Sequence, residues 1–406
     1  EPTIITVDGP FIENFSIDDL LLQTFPQDIR IIKVPAIKAT LTRKLGIGSL
    51  SLRAYFPIKK QVNKLLKAER FDLVYFSTTA FHVMALGPGW KKKFGVPFIL
   101  DIQDPWYNTY YFQNALHKKT IKAWLFHQLD KYLEAKTIPA TDGIISVSSG
   151  YRDLYVRRYP NLTSGDFRII PFGCAVLDFP IAKKSVHASR VKLSAEGINM
   201  VYIGRGGQDM ELAIDIILDG VKIGLKKENK YFKKVHIWFI GTSYAQNGKG
   251  IKTIETIAEK KGLTDRVTEI TDRLPYFETL YLLSKADILF VPGSTDPSYT
   301  ASKIYPYIYT NKPMLAVFHN KSSVCDVVEQ TSSAKVVAFG DVVGAEARQN
   351  LASECYAYLS EVLRNNIQHS NFDCDSFEPY TAQCMTKKQT DFFEQVIQKN
   401  SNHQKP

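Results

Sequence analysis

The sequence predicts an α/β protein with two Rossmann-like domains, each a doubly wound parallel sheet, that face a cleft. At 406 residues the chain is longer than the ~250–300 residues at which single cores stop growing. Short β-branched runs alternate with segments long enough for crossover helices, and the polar stretch 181–197 interrupts that alternation before a fresh strand. We therefore predict an N-terminal domain at 1–185 and a C-terminal domain at 195–380, with a final helix at 383–399 that returns to the first domain.

The first half begins almost directly on a strand, and its runs of Ile, Val and Phe are typical of buried parallel strands. The predicted strands are 3–7, 29–34, 71–77, 96–102, 143–148 and 167–171, with helices at 51–69 and 114–136.

The second half restarts the alternation of strand and helix. The predicted strands are 199–203, 235–240, 267–270, 287–291, 313–318 and 335–338, with helices at 209–225, 251–261, 276–285, 302–310 and 321–330. In such sheets ligands bind outside the carboxyl ends of the strands.

Basic residues exceed acidic ones by ten, and the excess is clustered in short lysine runs. These runs are 91–93, 118–119, 226–227 and 233–234. They are either solvated helix faces or a contact for an anionic membrane, and no motif for nucleic acid accompanies them. Because no apolar run is long enough to span a bilayer, we expect a peripheral contact, with the basic helical stretch 114–136 and its Trp124 and Phe126 against the inner face of the cell membrane.

The five cysteines are scattered and show no C-x-x-C spacing. They therefore predict neither a zinc site nor dithiol exchange, and we expect reduced packing residues in a cytoplasmic protein.

The first strand of the second half runs into Gly204, Arg205, Gly206 and Gly207 and then a helix. Glycines let the backbone approach an anion, helix N–H groups are free to donate, and an arginine adds a charge-assisted fork. The pattern predicts a phosphate cradle, although an empty turn between strand and helix has the same sequence.

Two further strand ends carry weaker signals. Gly241 and Thr242 could offer a close approach and a hydroxyl, or form a plain polar loop. Arg273 could contact a nucleotide base or ribose, or lie exposed on the surface.

The loop after strand 287–291 leads through Tyr299 to a predicted helix start that carries Thr300, Ser302 and Lys303. A lysine in a first helical turn opposes the helix dipole unless an anion compensates it. We predict an anion there, against the alternative of a cap and a solvated lysine.

In the first half, Asp101 and Asp104 lie at the end of strand 96–102, followed by Trp106. A carboxylate can accept the proton of a hydroxyl nucleophile, and an aromatic ring suits the face of a sugar. Trp106 as a core residue and Asp104 as a helix cap are the alternatives.

These elements resemble bacterial glycosyltransferases of the glycosyltransferase-4 type. The first half carries the resemblance in FDLVYFST, DIQDPW, IISVSSGYRDLY and FRIIPFG, and the second half in VYIGRGG, HIWFIGTS, ADILFVP and YTASKIYPYIYTNKPMLAV. The resemblance implies the GT-B fold and a retaining transfer of sugar from a nucleotide-sugar co-substrate to a hydroxyl acceptor, usually without metal, in surface polysaccharide or glycolipid synthesis. It implies Arg205, Ser302 and Lys303 near the donor diphosphate and Asp104 near the reacting centre.

The chain departs from this family at several positions. Pro306 stands where a second glutamate is common, Gln103 where a histidine is common, and Asp209 near the place of a usual lysine. The family's opening strand and glycine-rich loop are also absent from the sequence. A nucleotide-sugar 2-epimerase of the same fold, or a non-catalytic binding component, therefore remain alternatives, whereas neither half carries the full glycine fingerprint of an NAD-dependent oxidoreductase.

Overall fold

The computed structural model describes residues 1–13, 17–43, 47–107, 120–186, 189–245, 248–297, 299–331, 334–365 and 372–403. The chain divides into two compact units. Unit 1 comprises Glu1–Ile17, Thr24–Pro171 and Thr386–Pro406, and unit 2 comprises Asp18–Gln23 and Phe172–Met385.

Unit 1 contains two parallel sheets, one of two strands in the order β1-β2 and one of four strands in the order β3-β4-β5-β6. The strands are β1 (Thr3–Val7), β2 (Arg30–Val34), β3 (Val74–Ser77), β4 (Phe98–Ile102), β5 (Gly143–Ser146) and β6 (Phe167–Ile169). The helices are α2 (Ala39–Thr42), α3 (Leu50–Ala68), α4 (Phe81–Met84), α5 (Gly87–Phe94), α6 (Ile121–Thr137) and α7 (Ser149–Arg158).

The core of unit 1 lies around β4 and β5, whose residues are buried throughout. Ile99, Leu100 and Ile144 are fully buried because helices cover both faces of a parallel sheet, which explains the continuous apolar runs in the sequence. Every predicted strand is present within three residues of its predicted ends. Residues 108–119, which include the start of the predicted helix 114–136 and one lysine pair, lie outside the described residues.

A buried carboxylate holds the segment that follows β4. Glu134 on α6 is fully buried and accepts hydrogen bonds from Arg158, Tyr159 and Tyr155, and from the backbone N–H of Tyr107 at 2.8 Å. Burying a carboxylate is costly unless it is paired and hydrogen-bonded, and each of these donors meets that need. Burial, followed by the charge of Glu134, raises the pKa of Tyr159 above its usual range.

Unit 2 is built on one six-stranded parallel sheet in the order β12-β11-β10-β7-β8-β9. The strands are β7 (Ile198–Ile203), β8 (Val235–Ile240), β9 (Val267–Ile270), β10 (Ile288–Pro292), β11 (Met314–His319) and β12 (Lys335–Phe339). The helices are α1 (Asp19–Thr24), α8 (Asp178–Ser185), α9 (Glu211–Lys227), α10 (Asn229–Phe232), α11 (Ile254–Lys261), α12 (Tyr276–Lys285), α13 (Ile304–Tyr309), α14 (Ser323–Thr331), α15 (Ala345–Arg364) and α16 (Cys374–Phe377). The final helix α17 (Ala382–His403) begins in unit 2 and continues in unit 1.

Helices α9 and α15 pack closely, and α15 is an element that the sequence reading missed. A Cβ atom at Gly220 of α9 would lie 2.7 Å from the Cβ atom of Cys355 on α15, so only glycine allows this approach. Cys355 is fully buried, as expected for a packing cysteine. Residues 345–364 form a helix because their alanines, glutamates and leucines have high helix propensity.

The boundary between the units differs from the predicted one. The second unit already begins at Phe172, because Cys174 forms a parallel bridge with Thr381 and its N–H donates to the carbonyl of Tyr380 at 2.8 Å. Helix α8, predicted as part of the first domain and linker, packs its Ala182 with Phe277 of α12. The polar composition of 181–197 thus marks the surface of unit 2 rather than a linker.

Among the helices that the structure describes, none is both long and apolar enough to cross a bilayer. All five cysteines are free, and three of them, Cys174, Cys325 and Cys355, are buried.

We expect Glu134→Ala to destabilise unit 1 strongly, because the change leaves the half-buried guanidinium of Arg158 and the hydroxyls of Tyr155 and Tyr159 without their buried acceptor. Breaking a buried pair in this way costs about 3–5 kcal/mol in the free energy of unfolding. Urea unfolding followed by tryptophan fluorescence measures the effect, since Trp90, Trp106 and Trp124 all lie in unit 1.

The matched control is Glu69→Ala, which removes the exposed pair between Glu69 and Arg30. An exposed pair contributes about 0–1 kcal/mol, so the two variants should differ clearly. Equal destabilisation by both changes would show that the Glu134 network does not stabilise the unit.

Candidate functional site

The turn after β7 is held against the end of β8. The N–H of Gly204 donates to the carbonyl of Ile240 and the N–H of Gly206 to that of Thr242, each at 2.8 Å. Beyond Gly207 the chain enters a short 3-10 turn, Gln208–Met210, and then α9. The sequence thus places its glycine-rich turn at the carboxyl edge of the sheet, as predicted.

Lys303 lies directly over this turn. A Cβ atom at Gly204 would overlap the lysine Nζ, so glycine is required there by the close approach of the cation rather than by a backbone angle. Lys303 Nζ donates to the hydroxyl of Tyr202 at 2.8 Å, and that hydroxyl donates to the carbonyl of Arg205 at 2.8 Å. The structure therefore brings together the two segments from which the sequence predicted an anion site.

The ammonium group of Lys303 is destabilised where it lies. Burial, followed by the charges of Arg205 and Arg273, lowers its pKa to about 7. Three cationic side chains thus converge, which favours an anionic ligand among them.

Arg205 is held in place by an acidic partner. Its guanidinium forms a bidentate pair with Asp209 at 2.9 and 2.7 Å and lies 5.0 Å from the ring centre of Tyr299. Burial alone would raise the pKa of Asp209, but hydrogen bonds from Arg205 and Ser294 outweigh it and lower the pKa. The sequence departure at Asp209 is therefore a positioning contact for the arginine.

In the turn after β8, Thr242 does not offer its hydroxyl to a ligand as predicted. Gly241 adopts a φ of 75°, in the left-handed region that favours glycine. The hydroxyl of Thr242 is buried and donates to Glu269 at 2.7 Å, and Glu269 also accepts from the N–H of Ile254 at the start of α11 at 2.8 Å. Thr242 therefore ties the turn to a helix, and its hydroxyl is not presented to a ligand.

Arg273 is exposed, and its guanidinium stacks 4.0 Å from the ring centre of Tyr244. Its backbone lies close to Gly241, because a Cβ atom at that glycine would be 3.6 Å from the Cα atom of Arg273. The predicted donor residue thus borders the same edge of the sheet.

The loop before α13 is arranged differently from the predicted helix start. The helix begins at Ile304, so Lys303 is its N-cap residue and has no capping hydrogen bond from its side chain. Tyr299 stacks against Phe318 at 6.4 Å, and the hydroxyl of Thr300 is 3.2 Å from that of Ser323. Ser302 is half-buried beside Lys303.

In unit 1, Asp101 is a buried acceptor. Its Oδ2 atom accepts hydrogen bonds from Tyr75, Ser77 and Gln103, each at 3.0 Å. Burial, followed by the charge of Asp101, raises the pKa of Tyr75 above its usual range. With its carboxylate engaged in this way, Asp101 orients Gln103, and the exposed Asp104 follows directly.

Trp106 is packed in the core of unit 1. It is 5% exposed, its ring stacks on Phe81 at 5.9 Å, and its indole N–H donates to Asp130 at 3.1 Å. The structure favours the packing alternative, so an aromatic ring for a sugar must be sought elsewhere.

The sequence assigns no role to Tyr202, Asp209 or Glu269, which position the cations and the second turn. Tyr202 lies within a strand that reads as continuous apolar core, so nothing in the sequence marks its hydroxyl as a link to Lys303. Within the described part of the chain, no group of three or more His, Cys, Asp or Glu side chains could hold a metal ion.

Comparison with known proteins finds a family match in the first half of the chain. Residues 26–175 match the profile of Glycosyltransferase Family 4, which confirms the resemblance seen in the sequence. No curated protein sequence matches the chain.

Solved structures share the fold over nearly the whole length. HepE of Anabaena in complex with UDP is 13% identical, with a TM-score of 0.59 over 97% of this chain and 99% of its own. An E. coli structure described as trehalose-6-phosphate bound with UDP-2-fluoro glucose is 10% identical in sequence, with a TM-score of 0.56 over 98% of this chain and 99% of its own. A UDP-forming trehalose-phosphate synthase from Burkholderia xenovorans is 11% identical, with a TM-score of 0.55 over 93% and 89%. This likeness confirms the predicted GT-B architecture of two Rossmann-like domains.

We expect the affinity of unit 2 for a small anion to fall as the pH rises through the pKa of Lys303, about 7. The ammonium form binds the anion and the neutral amine does not, so the dissociation constant should increase roughly tenfold between about pH 6 and about pH 8. Sulfate is a suitable probe because its own charge is constant over this range, and calorimetry measures its binding.

Lys303→Met should bind sulfate weakly and without this pH dependence. Lys285→Met, which removes an exposed lysine of α12, should retain the wild-type profile. An unchanged pH profile in Lys303→Met would assign the titration to another group.

Proposed function

We propose that this chain, a glycosyltransferase with a family 4 domain at residues 26–175 and the GT-B fold, transfers a sugar from a nucleotide-sugar donor to a hydroxyl acceptor. The observation that carries this proposal is the position of Lys303 over Gly204, beside Arg205. A diphosphate is the group of a nucleotide sugar that such a cluster of cations and glycine backbone would recognise.

The donor diphosphate would engage the cluster in two ways. Its oxygens would replace the Tyr202 hydroxyl as the partner of Lys303, which then holds its proton because an anion lies beside it. Arg205 would keep Asp209 on one edge of its guanidinium and present its remaining N–H groups to phosphate, since a guanidinium carries five donors. The half-buried Ser302 adds a hydroxyl next to the lysine.

Uridine is our proposal for the nucleotide. HepE of Anabaena is described in complex with UDP and with UDP-glucose, and the E. coli protein with UDP-2-fluoro glucose. In this chain Arg273, stacked on Tyr244, is the side chain that we propose for the base or ribose, because a guanidinium and an aromatic ring offer both donors and a stacking surface.

On the acceptor side, Asp104 is the carboxylate that we propose near the reacting centre. It is exposed, and the segment around it is fixed from both ends, by Gln103 bonded to Asp101 and by Tyr107 bonded to Glu134. A carboxylate positioned in this way can accept the proton of an attacking hydroxyl. Retention of configuration and a role in surface polysaccharide or glycolipid synthesis are part of the proposal, and both rest on the family resemblance.

We expect UDP to stabilise the protein against heat, by ~2.7 kcal/mol at about 100 times its dissociation constant. Lys303→Met should weaken UDP binding by about ten- to a hundredfold, because a hydrogen bond to a charged group contributes ~1.5–3 kcal/mol. Lys285→Met is the matched control, and thermal shift across a panel of nucleotides is the measurement. If no nucleotide distinguishes the two variants, the cation cluster is not the donor site.

Turnover of UDP-sugars separates the proposed transfer from its alternatives. Asp104→Asn should lower the rate at which UDP is formed from the UDP-sugar about 10²–10⁴-fold while leaving UDP affinity unchanged. Epimerisation at the second carbon of the donor sugar, in the absence of an acceptor, would instead favour an epimerase.

A contact with an anionic membrane is also part of the proposal, and an apolar stripe on α6 supports it. Ile121, Trp124, Leu125, Leu129 and Tyr132 follow helical spacing and are exposed, with Ile121 81% exposed. Exposed lysines at 122, 131 and 136 flank this stripe. Large apolar side chains between lysines on one helix face are typical of helices that lie in the headgroup region of an anionic bilayer.

We expect the protein to sediment with vesicles of phosphatidylcholine and phosphatidylglycerol at low salt, and much less with phosphatidylcholine alone. Leu125→Ser should weaken partitioning roughly tenfold, because burying a leucine contributes ~1.5–3 kcal/mol. Ala135→Ser, at another exposed position of α6, should have little effect. Equal sedimentation of both variants would exclude the stripe as the contact.

A further inference from the structure

Helix α6 has two faces that differ in chemistry. His127, Asp130 and Glu134 follow one another at spacings of three and four residues, so they share one face of the helix. The exposed apolar stripe, which runs from Ile121 to Tyr132, lies on the opposite face. One helix therefore carries both the proposed membrane contact and a row of polar side chains on its inner side.

The inner face of α6 holds Tyr107, which is three residues after Asp104. Glu134 accepts a hydrogen bond from the backbone N–H of Tyr107 at 2.8 Å. The ring centre of His127 lies 4.5 Å from that of Tyr107, so the side chain of Tyr107 is covered by the same helix. The position of the Asp104 carboxylate therefore depends on how well α6 stays folded.

The two halves of α6 are held to unit 1 to different degrees. In the first half, residues 121–129, all side chains except Phe126 and His127 are exposed. In the second half, Glu134 and Thr137 are buried. A short helical segment with few buried contacts is only marginally stable in water. The first half of α6 therefore unfolds locally more easily than the second, and His127 leaves Tyr107 when it does.

An anionic bilayer distinguishes the folded from the unfolded form of this segment. The apolar stripe exists only in the helix, because helical spacing brings its members to one side. The bilayer therefore binds the helical form more tightly, and a difference in affinity between two forms is what allows a ligand to shift their equilibrium. Membrane binding should consequently keep His127 against Tyr107.

We propose that His127 is a positioning residue that steadies Asp104 through Tyr107, and that contact of α6 with an anionic bilayer strengthens this hold. The inference rests on the proposed function, in which Asp104 is the acceptor-side carboxylate and α6 is the membrane contact. Asp104 is then positioned best at the membrane surface, where a lipid-linked acceptor lies.

Hydrogen exchange of the full chain tests the proposal. Vesicles of phosphatidylcholine and phosphatidylglycerol at low salt should slow exchange of the α6 amides and of the Tyr107 amide by roughly tenfold or more, and phosphatidylcholine alone should have little effect. The matched control is the N–H of Thr163 in unit 1, which also donates to a carboxylate, that of Asp166, at 2.8 Å. Its exchange should be unchanged.

Variants of α6 separate the hold on Tyr107 from the folding of the helix. His127→Ala removes the ring and introduces a good helix former, so it should sediment with vesicles as the wild type does and keep the slowing within α6. It should lose the slowing at Tyr107, and His127→Phe, which restores a ring, should recover it. Gln128→Ala, at the exposed neighbouring position, should retain both effects.

The outcomes distinguish this inference from the proposals on which it rests. Sedimentation of the wild type without slowing at Tyr107 would overturn the positioning role and leave the membrane contact standing. Full slowing at Tyr107 in His127→Ala, or equal slowing at Thr163, would also overturn it. Absence of sedimentation would overturn the membrane contact and this inference together. None of these measurements depends on turnover, so a failure of the transferase assay is observed separately.

Discussion

The candidate site depends on one electrostatic constraint, which is the cost of holding an ammonium group over a glycine next to two guanidinium groups. Lys303 donates to a neutral partner, the hydroxyl of Tyr202, while the carboxylate of Asp209 pairs with Arg205. Gly204 is the geometric condition for this arrangement, because any side chain there would displace the lysine. The cluster therefore favours an anion, because a bound anion would offset the repulsion among its cations.

The residues around the cation cluster of unit 2 and around Asp104 of unit 1 hold these functional groups in position. Glu269 fixes the second turn through Thr242 and Ile254, and Tyr299 supports Arg205 from the face of its ring. In unit 1 two buried carboxylates, Asp101 and Glu134, fix the residues on either side of Asp104. Polar networks of this kind position functional groups on rigid elements, and they are costly to leave half-satisfied.

Most of the architecture followed from the sequence, since the apolar runs of buried parallel strands have a clear pattern and the turns between them are rich in glycine. The convergence of residues 204–205 with Lys303 was also predictable, because carboxyl ends of neighbouring parallel strands share one edge. What failed depended on partners that lie far apart in the chain. Thr242 reads as a free hydroxyl until Glu269 is placed beside it, and Trp106 reads as a sugar platform until Phe81 and Asp130 enclose it.

The bridge between Cys174 and Thr381 has a consequence for how the protein could be recombined. It fastens the beginning and end of residues 172–385 to each other within unit 2, so the two covalent connections at the ends of this segment depart from neighbouring points. Adjacent ends are the condition under which one domain can be inserted into another without straining either. Residues 172–385 could therefore be exchanged between related proteins as one segment, and under the proposed function such an exchange would change the donor-binding residues and leave those of unit 1 as they are.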